Sequence, residues 1–258
     1  MYTSRRTDGF TLVELSIVII IIALLAGGVV AGQSLLKASD NRTVYTKATE
    51  YISAINQFSE KYQGLPGDLY NATSIWGAQH ATPATCQTTA SSSKLTCDGD
   101  GDGHIGDNAA TYYENFRAWQ QLQNAGMVEG NYNGISNGAA STNVAQIDTN
   151  VPSSSVIGAG YSLLYLNSGA ANVYSNTGHM LYFGGETADI TRGAVLTTRD
   201  AWAIDKKVDD GEPGLGKVFV NDTGLLANCA TTNSASTANY DLTNTTSSAC
   251  NMIFVIGQ

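Results

Sequence analysis

Residues 10–32 read Phe10-Thr-Leu-Val-Glu14-Leu-Ser-Ile-Val-Ile-Ile-Ile-Ile-Ala-Leu-Leu-Ala-Gly-Gly-Val-Val-Ala-Gly32, and this stretch decides the fold. Between Glu14 and Lys37 lie 22 consecutive uncharged residues, most of them apolar. As a helix rising about 1.5 Å per residue they span ~33 Å, enough for a hydrocarbon core ~30 Å thick. Arg5 and Arg6 precede the run, and no basic residue follows until Lys37. The short leader is therefore expected to stay cytoplasmic and the long remainder to be exported. A cleaved secretory signal would need a shorter apolar core with a small-residue cleavage site behind it. The run is expected to span a membrane.

Glu14 is the odd residue in it. A carboxylate inside a membrane segment costs roughly 2.5–3.5 kcal/mol or more, so it calls for a partner and a function. Gly9-Phe10-Thr11-Leu12-Val13-Glu14, behind a short basic leader and ahead of an unbroken apolar run, resembles the class III signal of type IV pilins and type II secretion pseudopilins. The resemblance implies that a prepilin peptidase cuts between Gly9 and Phe10 and methylates the new terminus at Phe10. It implies further that Glu14 pairs with the terminal amine of a neighbouring subunit as filaments grow from an inner-membrane assembly platform. Two charges that are each costly in lipid would then compensate one another only where subunits meet. Many members of that family carry a proline partway along this helix; Gly27, Gly28 and Gly32 stand here instead. Glycines there could let the helix melt locally.

Downstream, Val44, Ala48, Ile52, Ile55, Phe58 and Tyr62 recur at three- and four-residue spacing and form one apolar face, with Gly64 and Pro66 as a stop. One helix is expected from Phe10 to Tyr62. A second is expected over about 111–125, with Thr111-Tyr-Tyr-Glu114 as a capping box and Gly126 past its end. A third is expected over about 199–208, behind a box at Thr197-Thr-Arg-Asp200. Strand candidates are 161–166, 179–183, 194–198, 217–220 and 252–256, several of them apolar runs too short for helices. The expected fold is α+β, a long N-terminal helix packed on an antiparallel sheet, as the pilin resemblance also implies. The expected organisation is a leader over 1–9, a membrane or filament-core helix over 10–36 and an exported head over 37–258.

Composition narrows the function. Ser, Thr, Asn and Gly together make 96 of 258 residues, concentrated in loops at 81–94, 131–158 and 228–251, while charged residues are only 14%. The net charge of −9 with no basic stripe argues against nucleic-acid binding. The mean hydropathy of −0.09 averages an apolar helix with a polar head. Four cysteines fall in two sequence-local pairs, Cys86 with Cys97 and Cys229 with Cys250. In an oxidising compartment they are expected to pair locally, since the nested and crossed connectivities must join ends far apart in sequence.

Asp98-Gly-Asp100-Gly-Asp102-Gly-His104-Ile105-Gly-Asp107 resembles the first half of an EF-hand calcium loop. Calcium takes six to eight oxygen ligands. Asp98, Asp100 and Asp102 would serve by side chain and His104 by its carbonyl. Ala109 stands where a bidentate Glu is expected, so Asp107 or Glu114 would have to close the shell. The acidic stretch 205–212 follows the third helix; it could bind another cation, but Lys206 and Lys207 dilute its field, and a helix exit with a turn is sufficient explanation for it.

The expectation is a structural subunit, a type IV pilin or pseudopilin anchored in the inner membrane before assembly. Its 249 residues after removal of the leader suggest a minor or large member. The alternative is a membrane-anchored, extracytoplasmic calcium-binding or adhesive module that does not polymerise. Catalysis is not expected: Gly-x-Ser-x-Gly, His-Glu-x-x-His and Walker-type patterns are absent, and His80, His104 and His179 lie in separate segments.

Overall fold

The computed structural model describes residues 9–91, 93–106, 113–136, 144–166, 177–187, 190–220, 228–232, 234–245 and 248–257. It divides into two compact units, residues 1–40 and 41–258. Helix α1 runs Leu12–Tyr62. In the first unit its large apolar side chains, among those described from Leu12 through Ile19 to Leu36, are exposed. They meet the length and hydropathy of a membrane span, with none of the 18-residue window buried.

In the second unit the chain builds an α+β head. Val44, Ala48, Ala54, Ile55 and Phe58 of α1 are buried, and Tyr51, Ile52 and Tyr62 are half-buried beside them. The three- and four-residue spacing thus delivers one apolar face to the core. Short helices α2 (Ala72–Trp76) and α3 (Pro83–Cys86) precede α4 (Tyr113–Asn124) and α5 (Thr198–Val208). Tyr51 of α1 meets the Trp119 ring of α4 and the Tyr161 ring of the sheet edge-on, at 5.0 and 5.1 Å between centroids.

The sheet is antiparallel, in the order β1 (Ala159–Leu166), β2 (Gly178–Gly185), β4 (Met252–Val255), β3 (Val218–Phe219). Tyr161 pairs with Phe183, Met180 with Val255, and Val218 with Phe254. Tyr161, Leu163, Leu181, Phe183, Val218, Met252 and Phe254 belong to the core shared with α1 and α4. Leu166, Met180, Tyr182, Phe219 and Ile253 form a second buried cluster with Ile190. Side chains of a strand alternate between faces, so both faces of this sheet are apolar. That is why these strands read as continuous apolar runs in the sequence.

Segment 194–198, expected as a strand, makes only bridges. Leu196 N–H donates to the Cys250 carbonyl and Cys250 N–H to the Leu196 carbonyl. Thr197 then caps α5, its hydroxyl accepting from Asp200 N–H and donating to the Asp200 carboxylate. The capping role ends any ladder before it can extend. For α4, Thr111 lies outside the described residues, and Glu114 is engaged elsewhere.

Candidate functional site

Gly9, Phe10 and Thr11 are non-helical and exposed, Phe10 to 88%. An accessible, non-helical link ahead of a helix is one that a peptidase can reach. Thr11 then starts α1. Its carbonyl accepts the first helical bond, from Leu15 N–H, and its hydroxyl accepts from Glu14 N–H at 3.2 Å. The Glu14 carboxylate reaches back to Thr11 N–H and to the Thr11 hydroxyl, each at 2.8 Å. This is a reciprocal capping box. The carboxylate also sits in the first turn, where the helix dipole favours negative charge. Thr-x-x-Glu ahead of an apolar run is a readable signal, and sequence reasoning centred on the charge of Glu14 missed it.

The acidic loop is arranged differently from the expectation. The Asp98 carboxylate accepts from Thr73 N–H at 2.7 Å and from the Thr73 hydroxyl at 2.9 Å. It thereby supplies the start of α2 with a cap that the Asn71 side chain does not provide. The carboxylates that converge are those of Asp68, Asp100 and Asp102, with oxygens within 4.8 Å of one another. Asp68 comes from the turn after Pro66 and was not expected in the site. Its two oxygens accept from Gly101 N–H at 2.7 Å and Gly103 N–H at 3.0 Å. Gly99 makes the approach possible, because a Cβ there would lie 2.4 Å from the Asp68 Cα.

Glu114, at the start of α4, completes the scaffold of the loop. One oxygen accepts from Asp100 N–H at 3.1 Å and the other from Gly106 N–H at 2.9 Å. Asp68 and Glu114 are both only 4% exposed. Burial pushes the Glu114 carboxyl up to about 8, with Asp100 and Asp68 repelling in the same direction. Burial likewise raises Asp68 to about 6, against its two backbone hydrogen bonds. Asp102 accepts from His104 N–H at 2.8 Å and lies 3.7 Å from the His104 imidazole, which packs tilted against the Tyr165 ring. Asp107 lies outside the described residues. Hard carboxylate oxygens crowded to this degree suit a divalent cation such as calcium. Among the described residues, those that could hold such an ion are Asp68, Asp100 and Asp102.

The disulfides pair Cys86 with Cys97 and Cys229 with Cys250. The first is docked on α4 by Arg117, a buried guanidinium that donates to the Cys86 carbonyl at 2.8 Å and the Thr89 carbonyl at 3.0 Å. Burial lowers Arg117 to about 10. The histidines serve packing and backbone. His80 Nδ1 accepts from Thr82 N–H, and His179 Nε2 accepts from Ile105 N–H. In the acidic turn after α5, Asp209 accepts from Lys217 and Val218 N–H and Asp210 from Glu212 N–H, as a helix exit requires.

Among known protein families, the prokaryotic N-terminal methylation motif matches residues 4–30. No curated protein and no solved structure matches the chain.

Proposed function

Because the chain carries the prepilin-type signal of type IV pilins and pseudopilins, we propose that it is a structural filament subunit, held in the inner membrane until assembly. The motif implies processing by a prepilin peptidase and assembly with other pilin subunits. On this reading cleavage falls after Gly9, Phe10 becomes the methylated terminus, and the head lies in the periplasm until the subunit leaves the bilayer. An assembly platform in the inner membrane would extract it.

The single observation that carries the reading is the join of motif and helix. The motif over residues 4–30 runs into an apolar helix whose large side chains, among those described from Leu12 to Leu36, are exposed. Such a surface needs lipid or other subunits to cover it. Glu14 lies where a neighbour's terminal amine could exchange for Thr11 as its partner. The head has both sheet faces buried and two disulfides, which supports reading it as a structural rather than a catalytic unit.

The test is assembly itself. Glu14→Ala should leave membrane insertion intact, since it removes a charge from the span, and should abolish or sharply reduce filament incorporation. Normal incorporation of that variant would contradict the proposed role of Glu14.

We further propose that Asp68, Asp100 and Asp102 hold calcium, which would clamp the glycine loop to the turn after Pro66. Support comes from the convergence of three carboxylates and from the Asp68 carboxyl, which burial holds above its ordinary range with repulsion from Asp102 and Asp100 in the same direction, a repulsion that a cation would relieve. Extracellular calcium modules bind at ~10⁻⁴ to 10⁻³ M, so a three-carboxylate site would still fill outside the cell.

A further inference from the structure

We propose that Asp205 is a proton-dependent latch fastening the loop closed by Cys229 and Cys250 to α5. Asp205 is fully buried in the last turn of the helix. Its carboxylate is the point at which three segments meet. Tyr240, from the disulfide loop, donates its hydroxyl to one oxygen at 2.8 Å. Gly211, from the turn after α5, donates its N–H to the other at 3.2 Å. Tyr240 is itself only 6% exposed and bridges to Ala230 across the loop. The adjacent Asp241 N–H donates to the Cys229 carbonyl, and Thr231 N–H to the Asn239 carbonyl. Holding Tyr240 therefore holds the disulfide end of the loop.

The surroundings disfavour charge on this group in three ways. Burial removes water from it. The last turn of a helix presents the negative end of the dipole. The groups that face it are the Asp209 and Asp210 carboxylates from the helix exit, with oxygens within 4.8 Å, and the neutral phenol of Tyr240. Lys206, on the same turn, is directed over the Trp202 ring instead, 4.6 Å from its centroid. A protonated Asp205 keeps both tethers, as the acid can still accept from Gly211 and share a hydrogen bond with Tyr240. An ionised one keeps these two donors but remains cut off from water beside Asp209 and Asp210, and moving the Tyr240 loop aside would admit water to it. Consistent with this geometry, burial pushes the Asp205 carboxyl up to about 7, against the hydrogen bonds from Tyr240 and Gly211 and with Asp210 and Asp209 repelling in the same direction as burial. The latch therefore loosens as pH rises from the ordinary carboxylate range to about 7, and above that pH it weakens no further.

The proposal is tested by amide exchange on the full-length protein in detergent micelles between pH 5 and 8.5. Rates at Thr231 and Asp241, corrected for the intrinsic pH dependence of exchange, give the opening equilibrium of the loop. One proton released on opening makes that equilibrium rise by up to tenfold per pH unit, levelling off above about pH 7. Asp205→Asn should remove the slope while keeping a hydrogen-bonding group in place. Tyr240→Phe should raise opening at pH 5, where the wild-type latch is shut. A wild-type opening equilibrium that is flat from pH 5 to 8 would overturn the latch, whatever the variants do. So would a slope that survives in Asp205→Asn, or no change at pH 5 in Tyr240→Phe.

Discussion

The Glu14 carboxylate accepts from both the backbone N–H and the hydroxyl of Thr11, so its first partner is its own helix start. On the proposed reading, this lowers the cost of a charge in a membrane segment before any other subunit arrives. Thr11→Val keeps the side chain's shape and removes the hydroxyl, leaving only the backbone donor. An N-cap of this kind contributes about 1 kcal/mol. Amide exchange at residues 12–15 in micelles should accelerate roughly fivefold, with the centre of the span unchanged; unchanged rates at the terminus would show that the box contributes nothing there.

The two aspartates that exchanged places separate the calcium proposal from simple loop stability. At 10 mM calcium, binding at ~10⁻⁴ to 10⁻³ M adds about 1.4–2.7 kcal/mol to stability. That is a rise of several degrees in melting temperature. Asp68→Asn should abolish this rise. Asp98→Asn, whose carboxylate is bound to Thr73, should lower the baseline melting temperature yet keep the calcium response. Loss of the response in Asp98→Asn but not in Asp68→Asn would reverse the ligand assignment.

In chelator, the buried acids make the head less stable as pH rises. Folded Asp68 and Glu114 hold their protons to higher pH than the unfolded chain does. Stability is therefore lost from 3.8 to about 6 through Asp68 and from 4.5 to about 8 through Glu114. Glu114→Gln should flatten the upper part of this dependence, between pH 6 and 8, in thermal unfolding. A wild-type melting temperature that climbs over that interval would contradict the assignment.

Gly99 should be intolerant of a side chain. Its Cβ would lie within 2.4 Å of the Asp68 backbone, and that neighbour is main chain and cannot swing away. Gly99→Ala is expected to cost about 1–3 kcal/mol by overpacking. Because the displaced segment carries Asp68, the same variant should also weaken the calcium response; a wild-type melting temperature and response would show that the two segments are not in contact.

Much of this fold was legible because its signals are local. The apolar face from Val44 to Phe58 is set by helical spacing, and the buried strands by short apolar runs. The cysteine pairs close loops of 11 and 21 residues. What was not legible depends on contacts across the chain. Asp68 is 32 residues before Asp100, and nothing in Pro66-Gly67-Asp68 says where its carboxylate goes. Asp98 keeps the alternate-residue spacing of a calcium loop, but the start of α2 needs an acceptor and takes it. Leu196 has the apolar neighbours of a strand residue, yet Thr197 must cap α5, and the ladder stops at Cys250.

The central claim is that this chain is processed at Gly9 and enters a filament by its new terminus. Mass analysis of the N-terminal peptide, from protein isolated out of membranes containing a prepilin peptidase, tests it most directly. The account predicts a chain that begins at Phe10 and carries one added methyl group. An intact terminus beginning at Met1 would contradict it.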